Sequence, residues 1–248
     1  SVYDAQRAVL DVGVEDVEDV DALVGPSSEK TTASALAANV AAHVNPDSRA
    51  DLEHLPAVSF WEDTPEEYAE LASEAGYDAD RTRDLRESVA LVANYQAYED
   101  KRELVADLLF DGSESLAARL ASQFREKLDA AIDTAKAHLE YREVNETTIA
   151  VLDTNAFTHR YDFPQTALLC DALYRQTRED ASVLVGLGED ELYLRHTGEL
   201  DVQAVAETVT ERAPEAAVSV GAARDDRLEF LLGEREAVRE AVIEAVTE

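Results

Sequence analysis

Residues 182–201 read SVLVGLGEDELYLRHTGELD, and this stretch decides the fold of the second half of the chain. A mostly apolar run from Ser182 to Leu187 is followed by a turn, and apolar residues return between Glu191 and Arg195. Short apolar runs separated by a turn that contains glycine are typical of neighbouring β-strands. The stretch therefore predicts two strands, Ser182–Leu187 and Glu191–Arg195.

The flanking sequence extends these strands into a small α/β domain. The further predicted elements are the strands Thr148–Leu152, Val218–Gly221 and Leu228–Leu231 and the helices Pro164–Arg178, Val202–Arg212 and Glu234–Thr247. Their order is β-α-β-β-α-β-β-α over about 100 residues, which is within the usual size range of a domain.

The first half of the chain has a mainly helical pattern. Small and apolar residues predict a compact helix at 31–44, with Ser28 as its N-cap. Thr64 begins a capping box that predicts a second helix directly after it. The apolar stretch Leu55–Phe60 predicts a strand or another buried segment.

Two long helices are predicted next, at about 80–110 and 113–139. The second carries apolar residues spaced mostly by four, so its apolar stripe drifts around the helix and is expected to pack against more than one neighbour. The predicted organisation is a helix-rich lobe at 1–79, long connector helices at 80–146 and the α/β domain at 147–248.

The composition is strongly acidic, with 54 acidic and 22 basic residues and a formal net charge of −32. At molar ionic strength the Debye length falls to about 3 Å, so carboxylates spread over a surface hardly repel one another. A hydrophobic content of 46% argues against intrinsic disorder. The charge therefore predicts a folded protein of a cell that lives at very high salt.

Cysteine content and hydropathy indicate the cellular compartment of the protein. The single cysteine, Cys170, lies among leucines and is expected in the core, and one cysteine excludes an internal disulfide framework. No apolar run approaches the ~18 residues that would indicate a transmembrane helix. We therefore expect a cytoplasmic protein without a membrane partner.

Positive charges at two strand ends are the candidate phosphate contacts. Arg195 and His196 close one predicted strand, and Arg224 and Arg227 flank two aspartates between the last two strands. Arginine side chains at such positions contact phosphate groups in nucleic-acid complexes. The alternative is that they form surface ion pairs, which contribute little to stability.

Four other segments have weaker functional interpretations. Residues 25–32, GPSSEKTT, lack the glycine that precedes the lysine of a phosphate loop, so we favour a helix cap. Residues 153–162 gather acids, a histidine and an arginine after a strand, but Asp and Asn are also ordinary turn formers. The two acids of residues 61–63 either bind a divalent metal or begin a helix, and we favour the second. Residues 94–98, NYQAY, are interpreted as a buried hydrogen-bonded site, with a partner surface as the alternative.

A strand that ends in Arg195, the stretch GELDVQAVAE at 198–207, a helix and a turn with Gly221 follow one another in the C-terminal domain. This order resembles the DHHA1 domain of RecJ-like DHH phosphoesterases. In that family the arginine and the glycine-rich turn face a nucleic-acid or nucleotide substrate, which implies substrate contacts for Arg195, Gly221 and, more loosely, Arg224. Residues 28–59, which include TTASALAANV, are similar to the part of the DHH domain that follows its signature motif. The resemblance implies a remnant or part of a DHH-like domain, connector helices and a DHHA1-like domain.

The DHH triplet that binds metal in that family is missing from this sequence. The family binds Mn²⁺ through an early D-x-D motif and the DHH triplet, and GAAR at 221–224 stands where it has a run of glycines with histidine. The resemblance implies either that a catalytic part that binds Mn²⁺ lies upstream of Ser1 or that the chain is a non-catalytic relative. We expect no cofactor and no hydrolysis in this chain alone.

The function implied by the resemblance is action on or near single-stranded DNA or RNA. The first alternative is a protein-binding scaffold of the replication or repair machinery, since inactive RecJ-like proteins act as partners of replication factors such as GINS. The second is a small-nucleotide phosphoesterase of the same superfamily.

Overall fold

The computed structural model describes most of the chain, and its residues group into two compact units, Ser1–Arg125 (unit 1) and Glu126–Glu248 (unit 2). The described residues are 8–10, 22–24, 32–94, 99–110, 113–145, 147–156, 163–198, 200–221 and 227–247. The predicted division into 1–79, 80–146 and 147–248 stays a prediction, because compactness by itself does not identify family domains.

Unit 1 is mainly helical. Its elements are β1 (Ala8–Leu10), β2 (Ala22–Val24), α1 (Ala33–Val44), α2 (Arg49–Leu52), α3 (Leu55–Ser59), α4 (Glu66–Glu74), α5 (Ala79–Ala93), α6 (Glu99–Phe110) and the first part of α7 (Glu114–Lys136). The two short strands pair in parallel. The core is formed mainly by α3, α5, α6 and α7, whose buried apolar residues are Val58, Leu85, Val92, Leu108 and Ala117.

Helix starts in unit 1 differ from the predicted ones. Thr32 caps α1, since its hydroxyl accepts a hydrogen bond from the Ala35 amide at 3.1 Å, whereas Ser28 lies outside the described residues. α4 begins after Pro65 without a side-chain cap, so the predicted capping box of Thr64 is wrong. The reason is that Pro65 occupies the N-cap position itself, which leaves Thr64 one residue too early.

Two further predictions in unit 1 concern helices. Of the two alternatives for Leu55–Phe60, the buried segment is confirmed and the strand is wrong, because α3 forms there with Pro56 in its first turn, where a missing backbone N–H costs nothing. The predicted long helix at 80–110 is described as two helices, α5 and α6. Most of the polar and aromatic patch at 94–98 lies outside the described residues.

Unit 2 is a six-stranded sheet with helices on both faces. Its elements are β3 (Leu139–Val144), β4 (Thr147–Asp153), α8 (Thr166–Thr177), β5 (Val183–Leu187), β6 (Glu191–His196), α9 (Val202–Arg212), β7 (Ser219–Val220), β8 (Arg227–Glu229) and α10 (Arg235–Ala245). The strand order is β3-β4-β5-β6-β8-β7, and among the described pairs of this sheet only β4 and β5 run parallel. The predicted α/β architecture is confirmed.

Alternation along the strands gives the sheet two apolar faces. One face packs against α9 and α10 and carries Ile149, Val151, Val185, Leu192 and Leu194. The other face packs against α8 and the end of α7 and carries Ala150, Leu152, Leu184 and Tyr193. Full burial of a leucine or valine contributes ~1.5–3 kcal/mol, so these two layers hold unit 2 together.

None of the described helices is long and apolar enough to cross a membrane.

Candidate nucleic-acid interface

Three neighbouring strands bring several of the predicted residues to one face of the sheet. Tyr193 in β6 lies opposite Arg227 in β8, and the Gly221 amide donates a hydrogen bond to the Arg227 carbonyl at 2.7 Å. Arg195 is two residues beyond Tyr193 on the same strand and therefore on the same face. Tyr193, Arg195, Gly221 and Arg227 are called the arginine row below.

Arg195 is held firmly inside the arginine row. Its residue exposure is only 8%, and its Nε donates to a carboxylate oxygen of Asp171 in α8. Its Nη1 donates to the Leu194 carbonyl at 2.6 Å, and its guanidinium lies 5.9 Å from the centre of the Tyr193 ring, within cation–π range. The ion pair therefore fixes α8 to the sheet and orients the guanidinium.

Arg227 is the more accessible arginine of the row, with a side chain 32% exposed. Its Nε lies 3.2 Å from a carboxylate oxygen of Glu191, and its Nη2 donates to Glu229. The Tyr193 hydroxyl donates to the same Glu191 carboxylate at 3.3 Å. Two carboxylates thus neutralise Arg227, so an anion that binds there must compete with both.

The neighbouring strand leaves little room for a side chain at Gly221. A Cβ at this position would lie 3.3 Å from both the Cγ and the carbonyl oxygen of Arg227, which is tighter than ordinary van der Waals contact. The absence of a side chain lets β7 approach β8 closely. The glycine that the resemblance assigns to substrate contact therefore also has a packing role beneath the arginine side chain.

His196 does not join the arginine row. It follows Arg195 directly in β6 and pairs with Val183, so strand alternation turns it to the other face. Its Nδ1 is buried and has no hydrogen-bond partner among the described residues.

Arg224 belongs to the stretch 222–226, which connects Gly221 to Arg227 and lies outside the described residues.

Sequence reasoning singled out Arg195 and Gly221 but not Tyr193, and it noted Arg227 without placing it beside them. Tyr193 could have been found from strand periodicity, because it shares its face with Arg195. Burial raises the pKa of the Tyr193 hydroxyl, and the Glu191 carboxylate raises it further. The phenol therefore stays protonated and acts as a hydrogen-bond donor.

A Mn²⁺ centre would need several carboxylate or imidazole ligands close together. The described part of the chain contains no group of three or more His, Cys, Asp or Glu residues that could hold a metal ion. Asp153 accepts a hydrogen bond from the Asn155 amide at 3.0 Å and pairs with Arg235 at 2.6 Å, so it stabilises the end of β4. The rest of the 153–162 loop is described only as far as residue 156. The described residues do not fit a Mn²⁺ centre.

Unit 1 contains a cavity of about 570 Å³, which is large enough for a small molecule. Its lining is mostly small and apolar residues of α1, α3 and α5, with Trp61 and Arg86 at its wall. Arg86 donates to the carbonyl oxygens of Val58 and Ala57 at 3.0 Å. Because these carbonyl oxygens already occupy N–H groups of the Arg86 guanidinium, the side chain is a weak binding partner for a polyanion in the cavity.

Comparison with known proteins supports the fold. No protein-family model matches the chain, and no curated protein matches it. A solved structure described as a DHH domain of a member of the s1p family of ribosomal proteins is similar over 92% of this chain, with a TM-score of 0.79 and 21% sequence identity. The chain spans 58% of the length of that protein chain. At this identity the similarity establishes architecture, and the chain has the fold of a DHH-domain protein.

Proposed function

We propose that this chain is a RecJ-like protein that acts on or near single-stranded nucleic acid and does not hydrolyse it by itself. The observation that carries the proposal is the arginine row on a DHH-type fold. The Arg195 guanidinium lies 5.9 Å from the centre of the Tyr193 ring, Arg227 pairs with Tyr193 across the strands, and Gly221 leads into the stretch that contains Arg224. Proteins that bind single-stranded nucleic acid contact its phosphates through arginines and stack its bases on aromatic rings.

Electrostatics limits how such contacts form. The formal charge of −32 opposes general attraction to a polyanion, and the carboxylates of Glu191 and Glu229 compete for Arg227. Binding must therefore come from a few placed arginines, in a cytoplasm at high salt where repulsion is screened. Any hydrolysis would need Mn²⁺ ligands from a longer form of the protein.

The alternative is a protein-binding scaffold of the replication or repair machinery, with GINS as one candidate partner. The neutralised arginine row favours it, because a surface with paired charges is suited to a protein partner at least as well as to phosphates. In that case nucleic acid would be held by the partner and not by this chain.

The test measures binding of a labelled single-stranded oligonucleotide, as DNA and as RNA, in molar KCl by fluorescence anisotropy. Arg224→Ala and Arg227→Gln should each weaken binding about 5-fold to 100-fold, the loss of roughly 1–3 kcal/mol typical of a charged hydrogen bond. Arg212→Gln is the matched control, since Arg212 pairs with Glu244 on the helices of the other sheet face. Wild-type affinity in both Arg224→Ala and Arg227→Gln, or no binding by the wild type, would refute the nucleic-acid proposal and favour the scaffold.

A second assay addresses hydrolysis directly. Release of nucleotides from the same oligonucleotide is measured with and without Mn²⁺. No release by this chain is expected, and Mn²⁺-dependent release would contradict the proposal that it lacks its own metal site.

A further inference from the structure

Strand β3 is the longer of the two edges of the six-stranded sheet. It has six residues, whereas β7 at the opposite edge has two, and β4 is its only strand partner among the described residues. Tyr141 in the middle of β3 is 51% exposed, and Glu140 and Glu143 are exposed as well. A long open edge of this kind is a template for pairing with another strand.

The hairpin that joins β3 to β4 determines which backbone groups of β3 point outward. Val144 pairs with Thr147 across a two-residue connection, and Asn145 in it has a φ of +48°, as in the turns that favour tight hairpins. The closing pair of such a hairpin is hydrogen-bonded, and bonding alternates along the strand. Arg142 and Glu140 therefore bond to β4, while Leu139, Tyr141 and Glu143 present their N–H and C=O groups to the open side.

Self-pairing of β3 about a two-fold axis perpendicular to the sheet keeps each face on its own side. Residues that meet must then share a face, so the axis passes through a residue, and the two central positions, Tyr141 and Arg142, pair the most of the strand. With Tyr141 at the axis, Glu140 lies opposite Arg142 of the second copy, and the same pair forms again by symmetry. With Arg142 at the axis, two arginines oppose each other, which is destabilising. Charge therefore selects the pairing centred on Tyr141.

Helix α10 extends these cross-strand pairs into networks. Arg239 donates to Glu140 at 2.5 Å, and Arg142 donates to Glu240 at 3.1 Å. In the self-paired arrangement each side would carry a chain of four alternating charges, from Arg239 and Glu140 of one copy to Arg142 and Glu240 of the other. Such networks contribute more than isolated surface pairs.

We propose that β3 is a self-association surface, through which two copies of this chain join their sheets antiparallel with Tyr141 at the two-fold axis. The outward N–H and C=O groups of Leu139, Tyr141 and Glu143 supply the backbone hydrogen bonds, and the Glu140 and Arg142 pairs set the register. A single strand and its flanking helix bury less than the ~1,200 Å² of a standard interface, so the dimer is weak and forms at high protein concentration.

Cysteine cross-linking tests the register. Tyr141→Cys places two thiols opposite each other about 5.5 Å apart between Cα atoms, which permits a disulfide. Glu143→Cys is the matched control, because its two copies would lie roughly 13 Å apart along the strands. The native Cys170 is fully buried, and the small amount of cross-linking that it gives is measured in the wild-type protein. Mild oxidation should give a dimer with Tyr141→Cys at least 10-fold above that of Glu143→Cys; equal yields, or none, would overturn the proposal.

Sedimentation at up to about 0.1 mM protein tests the backbone pairing. Tyr141→Pro removes an outward N–H that β4 does not use, whereas Tyr141→Thr keeps it and favours a strand. Circular dichroism melting verifies that both variants are folded. The wild type and Tyr141→Thr should show a dimer fraction that Tyr141→Pro has lost. A monomeric wild type, or the same dimer fraction in the folded proline variant, would contradict pairing through β3.

Discussion

At the scale of single residues, the described glycine with the least space for a side chain is Gly186, which lies against Cys170. A Cβ added at Gly186 would lie 2.3 Å from the Cys170 sulfur, and both residues belong to the layer between α8 and the sheet. Gly186→Ala should lower the free energy of unfolding by about 1–3 kcal/mol, because a packed core resists added volume. Cys170→Ala should restore most of this loss in the double variant. Urea unfolding measures all four proteins, and additive losses would contradict the contact.

His54 gives a prediction for pH. The residue is only 3% exposed, its ring centre lies 4.1 Å from that of Tyr77 in a stacked arrangement, and its Nε2–H donates to the Leu109 carbonyl at 2.8 Å. Burial lowers the pKa of His54, and the charge of Arg81 lowers it further, against the opposing effects of that hydrogen bond and of Asp51. Below the usual value of about 6.5 the unfolded chain therefore binds a proton more readily than the folded chain, and stability falls with falling pH.

His54→Phe keeps the ring stack and removes both the hydrogen bond and the titration. At pH 8 the variant should be less stable than the wild type by about 1 kcal/mol. The difference should shrink as the pH falls from 6.5 to 5, because only the wild type loses the contribution of a neutral histidine. Burial raises the pKa of Glu87 and gives a slope of opposite sign above about 4.5, but Glu87 is common to both proteins. A constant difference in urea unfolding across this range would contradict the argument.

The candidate site was partly predictable residue by residue. Arg195 and Gly221 were identified from their order in the sequence, and they do share one sheet face. Their packing was not predictable, because Asp171 is 24 residues from Arg195 in the chain and meets it only after α8 docks. Phosphate contact by Arg195, His196, Gly221 and Arg224 stays a prediction, and of the two arginines in the row the structure shows Arg227 to be the more exposed.

At the scale of elements, Arg125 joins α7 to α5 within unit 1. Its guanidinium lies 2.5 Å from an Asp84 oxygen and 2.6 Å from a Glu87 oxygen, and the Glu87 side chain is only 12% exposed. Arg125→Gln should lower the free energy of unfolding by about 1–3 kcal/mol, because it leaves a poorly solvated carboxylate with a weaker partner. Arg119→Gln on the exposed side of the same helix should change it by less than about 0.5 kcal/mol. Equal effects in thermal or urea unfolding would contradict a specific role for Arg125.

Strand β3 shows why an element can be missed. Leu139 continues the four-residue apolar spacing of α7, so the sequence predicted a helix to residue 139, but α7 ends at Lys136. Apolar and polar residues alternate only from Leu139 to Arg142, which is too short a pattern to predict a strand by itself. Pairing with β4 decides the conformation there, because the ladder satisfies backbone groups that a lone polar segment would leave to water.

At the scale of the whole molecule, the charge of −32 predicts salt-dependent stability. Raising KCl from about 0.1 M to about 1 M shortens the Debye length from about 10 Å to about 3 Å and so weakens repulsion among surface carboxylates. The melting temperature should rise by at least about 5 °C, where each kcal/mol corresponds to roughly 2–4 °C for a chain of this size. Circular dichroism melting in the two buffers checks this, and an unchanged melting temperature would contradict adaptation to high salt.

The sequence by itself determined the α/β order of unit 2, the helical character of unit 1 and the acidic surface, because periodicity and composition are local properties of the chain. Tertiary structure decided that Arg227 lies beside Tyr193 and that β3 forms an open edge. The physical reason is register: one hydrogen-bonded pairing of strands fixes which distant side chains share a face, and no local pattern in the sequence encodes that pairing.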